Sequence, residues 1–143
     1  LERFRREARA VANLKHPNIV QALAIEESQG LLYMAMDFVP GVAMDNLTNQ
    51  GALSANEIVG VVAKIAHGLH YAHGQGIIHR DVKPANILYR ADTGVAKLTD
   101  FGLAKRIGIS AGTRDGEGVG TPCYMPPEQV NNARNVDHRA DVY

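Results

Sequence analysis

The sequence has 143 residues, with 15 Lys and Arg balanced by 15 Asp and Glu, 45% hydrophobic and 21% charged residues, and one cysteine. A chain of this length can bury a core as one domain. Its ordinary apolar content excludes disorder, and its zero net charge argues against a general nucleic-acid or membrane binder, which carries a basic surplus.

Cys123 alone can close neither an internal disulfide nor a four-ligand zinc site, which fits a reducing, cytoplasmic compartment. The longest apolar run, Leu31 to Met36, falls far short of the roughly 20 residues of a spanning helix. No secretory signal opens the chain. Both ends fall inside patterned segments, so the sequence reads as a fragment.

In chain order, Leu1, Phe4, Ala8 and Val11 share one helical face, predicting a helix from about Leu1 to Leu14 that Pro17 breaks. Arg3, Arg5, Arg6, Arg9 and Lys15 form its solvated face, since no aromatics interleave them as in a nucleic-acid patch. Ile19 to Ile25 and Leu31 to Phe38 read as strands joined by a turn at Ser28-Gln29-Gly30. A short helix is expected over Ala43 to Thr48. Ser54 and Glu57 make a capping box that starts a long helix through Ile58, Val61, Val62, Ile65, Leu69 and Tyr71, ending near Gly74. Asn86 to Tyr89 and Val95 to Thr99 form a hairpin about Asp92-Thr93-Gly94. Beyond Gly102 a Gly-rich, irregular stretch runs to about Pro127. The order predicts an α+β fold.

The chemistry concentrates in His79-Arg80-Asp81-Val82-Lys83-Pro84-Ala85-Asn86 and Asp100-Phe101-Gly102. Carboxylate and amide oxygens suit hard Mg²⁺, a lysine suits phosphate, and a free carboxylate can orient or deprotonate a hydroxyl. Those are the parts a phosphoryl-transfer site requires. Six fixed residues in the first motif arise by chance with a probability of roughly 10⁻⁶ over such a chain. The predicted hairpin returns Asp100 to the neighbourhood of Asn86.

This set resembles the middle of a eukaryotic-type (Hanks-type) serine/threonine protein kinase domain of the bacterial kind. The resemblance implies a bilobal fold. Residues 1–38 would be an N-lobe remnant with helix C and two strands, and 39–143 a C-lobe part with the catalytic loop and activation segment. It implies Asp81 as catalytic base, Lys83 as partner of the transferred phosphate and Asn86 and Asp100 as Mg²⁺ ligands, with ATP as phosphoryl donor and a protein Ser/Thr hydroxyl as acceptor. Arg80 would read an activation-loop phosphate, for which Ser110 and Thr113 are candidate sites. Glu7 resembles the helix-C glutamate that pairs with the ATP-binding lysine. Met36 resembles a gatekeeper, the Asp37 carbonyl and Val39 amide would face adenine, and Leu88 would lie under its ring.

His79 is expected to pack beneath Phe101, beside Gly102. Gly120-Thr121 and Lys83 imply Ser/Thr substrates. Pro126-Pro127-Glu128 stands where the family has Ala-Pro-Glu, and Pro126 stiffens that backbone. Asp137 to Tyr143 resembles the start of helix F, in which Asp141 would hold the catalytic-loop backbone. His67, His70 and His73 recur every third residue, but each step turns about 60° and no Cys or carboxylate joins them, so they do not make a zinc site. His16 and His138 read as ordinary loop residues.

The glycine-rich loop and V-A-I-K lysine have no counterpart in these residues, so the fragment alone is expected to be inactive. The implied partners are ATP and a protein substrate, no nucleic acid, and a membrane only through parts absent from this sequence. A pseudokinase or binding scaffold is the alternative, and a small-molecule phosphotransferase a weaker one. The intact set Asp81, Lys83, Asn86 and Asp100 favours the enzyme, and the GTPxYM…PE segment favours a peptide substrate.

Overall fold

The computed structural model describes residues 2–29, 31–101, 122–131 and 136–143. Helix α1 (Glu2–Ala12) is followed by strands β1 (Ala22–Ser28) and β2 (Leu31–Met36), an antiparallel pair with an irregularity between Ala22 and Ala24. Arg6 and Arg9 of α1 are exposed, whereas Glu7 and Ala8 are buried. The first strand starts later than its apolar pattern predicts. Ile19 is not part of that pair; it bridges in parallel to Leu98, and Val20 N–H donates to the Leu98 carbonyl at 2.9 Å.

The short strand β3 (Val42–Ala43) leads into helix α2 (Met44–Asn49). The 20-residue helix α3 (Ala55–Gly74) opens with both halves of the capping box: Glu57 N–H donates to Ser54 Oγ, and Ser54 N–H donates to Glu57 Oε2. Val61, Ile65, Leu69 and Ala72 form its buried stripe at helical spacing, while Val62 is exposed. The helix stops at a left-handed Gly76 (φ +71°), whose N–H bonds the His73 carbonyl while Ile77 N–H bonds that of Ala72. This pair of bonds is a Schellman stop, and it aims the chain into the loop at residues 77–86.

After that loop, β4 (Ile87–Arg90) and β5 (Val95–Leu98) make a hairpin, and β3 pairs with β4 to complete a three-stranded sheet in the order β3-β4-β5. A helical turn at Pro122–Tyr124 precedes helix α4 (Pro127–Asn131), and a last turn spans His138–Asp141. The core gathers Leu14, Ile19, Met44, Val61, Ile65, Leu69, Ile77, Ile87, Leu98 and Phe101 between α3 and the sheet. Gly68 permits a close approach there: a Cβ on it would lie 3.2 Å from the Asn18 carbonyl oxygen.

The expected elements are present, in the expected α+β order. Gly102, Ser110, Thr113 and Thr121 lie outside the described residues. No helix among the described residues is long and apolar enough to cross a membrane.

Candidate active site

The loop between α3 and β4 is irregular, and groups from elsewhere in the chain hold it. The Asp141 carboxylate, itself buried, accepts from His79 N–H at 2.8 Å, from Arg80 N–H at 2.7 Å and from His73 Nε2 at 2.7 Å. The turn that carries Asp141 is capped by Asp137, which accepts from Arg139 N–H at 2.9 Å. The Arg139 guanidinium and N–H hold the Asp137 carboxyl down to about 2.

His79 is fully enclosed, with its ring 4.6 Å from that of Phe101. Its Nδ1 accepts from Asp81 N–H at 3.1 Å, so Nε2 carries the ring proton and donates to the Thr99 carbonyl at 2.9 Å. Burial lowers the His79 pKa, and the neutral ring is the form that makes both bonds.

These bonds stabilise an unusual backbone. Arg80 (φ +69°) and Asp100 (φ +57°) both adopt the left-handed conformation, which costs a residue with a Cβ about 1–2 kcal/mol. Arg80 is clamped on both sides, by Asp141 on its N–H and by Gln129 Nε2 on its carbonyl at 2.9 Å.

Asp81, next along the chain, stands within a small polar cluster. Lys83 Nζ lies 3.2 Å from Asp81 Oδ2, and Asn86 Nδ2 donates to the same oxygen at 3.1 Å and to the Asp81 carbonyl at 2.8 Å. Asn86 closes a helical turn that begins at Pro84, and Thr99 N–H donates to its carbonyl at 2.9 Å. The β4–β5 register therefore sets Asn86 opposite Thr99 and puts Asp100 one residue further.

With its Nδ2 committed to Asp81, Asn86 keeps the amide oxygen for a cation, and Asp100 offers an exposed carboxylate. Two oxygen donors on neighbouring strand ends fit Mg²⁺, which takes one or two protein oxygens and completes its shell with water and phosphate. Among the described residues no group of three His, Cys, Asp or Glu could hold a metal.

The other sequence-derived candidates sit on other elements. Glu7 is buried on α1. Met36 ends β2 and is exposed, Asp37 and Val39 follow it, and Leu88 is half-buried on β4. Glu128 is exposed on α4. An apolar cavity of about 640 Å³ between α2, α3 and the last turn is lined by Met44, Ile65, Leu69 and Val82 and reaches His73, Lys83 and Asp141, but not Asp81, Asn86 or Asp100.

Two side chains here carried no signal for this use in the sequence: His73 as a partner of Asp141, and Gln129 as a partner of Arg80. A glutamine beside an exposed glutamate reads as surface. His16 and His138 are also more than loop residues. The His16 ring stacks on Tyr71 at 5.3 Å, and His138 lies 5.6 Å from His73.

The protein kinase domain family matches residues 1–143, and the chain belongs to it. The chain is 42% identical over 144 residues to the probable serine/threonine-protein kinase pknA2 of Bifidobacterium longum, covering 100% of this chain and 19% of that protein. It superposes on the PknI kinase domain of Mycobacterium tuberculosis with a TM-score of 0.75 at 31% identity, covering 98% of this chain and 51% of the other. It superposes on Rad53 in complex with AMP-PNP with a TM-score of 0.74 at 32% identity, covering 93% and 33%. The chain thus spans about a fifth of the curated relative and about half of the solved kinase domain.

Proposed function

We propose that this chain is the central part of an ATP-dependent protein serine/threonine kinase. Residues 1–38 belong to its N-lobe and 39–143 to its C-lobe. The observation that carries the reading is the Asp81–Lys83–Asn86 cluster on a loop pinned by Asp141, with Asp100 set beside Asn86 by the β4–β5 register.

In this reading the Asp81 carboxylate orients the acceptor hydroxyl and takes its proton. Lys83 holds the phosphate being transferred. Asn86 and Asp100 hold Mg²⁺, which when bound neutralises phosphate charge. Adenine lies against Met36, the Asp37 carbonyl, the Val39 amide and Leu88, and Glu7 pairs with a lysine from the N-lobe. Arg80 answers a phosphate on Ser110 or Thr113. A domain that consumes ATP in this way works in the cytoplasm, on a protein substrate rather than a nucleic acid.

The test is transfer of radiolabelled γ-phosphate by the full-length protein. We expect Asp81→Asn to lower kcat by about 10²–10⁴-fold, in the range of a lost general base. The 143-residue chain by itself is expected to label nothing, because one wall of the nucleotide site is absent from it. A full-length protein that binds nucleotide but transfers no phosphate would instead be a kinase-like scaffold.

A further inference from the structure

We propose that Gln129 is a positioning residue that ties helix α4 to the orientation of Asp81. The inference rests on the kinase reading above and goes beyond it. A left-handed residue with a Cβ persists only where its neighbours over-determine it. At Arg80 both restraints are non-local, and one is the Asp141 carboxylate, 61 residues along the chain, on the Arg80 N–H. The other comes from 49 residues along the chain, where Gln129 Nε2 donates to the Arg80 carbonyl at 2.9 Å. That carbonyl belongs to the peptide joining Arg80 to Asp81. Rotating this peptide plane swings the Asp81 carboxylate.

Gln129 is only 7% exposed, whereas its neighbours Glu128 and Val130 point to solvent. Its amide can face the Arg80 carbonyl only through nitrogen, since oxygen against oxygen would repel. The remaining atom, Oε1, is buried with no hydrogen-bond partner among the described residues. An apolar side chain of similar volume would fill this space without an orphaned acceptor. The bond to Arg80 is therefore what glutamine supplies here and leucine would not. Through it, a shift of α4 becomes a change in the direction of Asp81.

The experiment uses two variants of the full-length protein. Gln129→Leu keeps the volume and removes the donor; Gln129→Glu keeps the shape and puts an anion against the carbonyl. We expect both to lower kcat about tenfold with the KM for ATP unchanged within twofold, as misorientation of one catalytic group would. Between pH 8 and pH 6 the kcat of Gln129→Glu, as a ratio to wild type, should climb, because a protonated carboxyl can donate to the Arg80 carbonyl again. The same ratio for Gln129→Leu should stay flat, and hydrogen exchange in residues 79–83 should quicken.

A kcat within twofold of wild type in both variants overturns the proposal, and so does a flat pH ratio for Gln129→Glu. If Gln129→Leu fails to fold, the pH ratio of Gln129→Glu decides. If the wild-type protein transfers no phosphate, the kinase reading falls, and exchange in residues 79–83 alone then decides: faster in Gln129→Leu upholds the clamp, unchanged rejects it.

Discussion

The loop at residues 77–86 and the segment at residues 37–41 are both irregular, yet they are built on opposite terms. In the first, buried side chains, two of them from distant parts of the chain, satisfy the backbone: Asp141 takes two N–H groups, Gln129 takes the Arg80 carbonyl, and the loop's own His79 bridges Asp81 and Thr99. The second is held by backbone bonds, Asp37 N–H to the Gln21 carbonyl and Gly41 N–H to the Val39 carbonyl, and Phe38 on it is 89% exposed. A group that must be aimed is over-determined. A stretch held by backbone bonds alone can leave its side chains facing water.

The sharpest way to break this contrast is Asp141→Ala. It strips the acceptor from two N–H groups and from His73, and it releases the left-handed Arg80. With each buried orphan worth about 1–3 kcal/mol, we expect a loss of about 3–5 kcal/mol in urea unfolding.

A smaller effect comes from pH. His79 has its pKa lowered by burial, so the unfolded chain binds the proton more readily than the folded one. Its stabilising contribution is complete above about pH 6.5, the unfolded value, and is lost as pH falls toward the lower folded value. His16 shifts in the same direction, first through burial and then through the charges of His67 and Lys97. Thermal unfolding should therefore lose stability between pH 6.5 and 5.5 from His79, at a slope no steeper than about 1.4 kcal/mol per pH unit for one proton. A melting temperature constant over that interval would mean that His79 does not need to be neutral.

Least of all, Phe38→Ser should change stability by no more than about 0.5 kcal/mol, because the side chain buries almost nothing. A larger loss would show the second segment to be more than a backbone edge.

What could be read from the sequence follows the range of the interaction. The capping box at Ser54 and Glu57, the turn at Asp92-Thr93-Gly94 and the stripe of α3 are local signals and could be located residue by residue. The motif from His79 to Asn86 is short enough to carry its chemistry in its own spacing. Asp141 entered only through family resemblance, since no spacing rule links it to residues 61 and 62 positions earlier. Gln129 and the stacked His16 were not legible, because their partners lie 49 and 55 residues away and only tertiary packing selects them. The left-handed conformations of Arg80 and Asp100 were hidden for a related reason: neither residue type announces them, and the bonds that sustain Arg80 are non-local.

The parallel pairing of residues 18–20 with β5 has a consequence for how the molecule is made. Asn18 Nδ2 reaches the Ala96 carbonyl across 78 positions of sequence, and the Asn18 and Leu98 backbones bond each other directly. On the ribosome the first helix and strand pair therefore emerge long before the edge they must join exists. At about 5–20 residues per second the wait is roughly 4–16 s. Throughout that interval Leu14 and Ile19, both buried in the finished fold, have no sheet to cover them. The nascent chain is thus most vulnerable to aggregation and to holding by chaperones before β5 is translated, and docking of β5 ends that window.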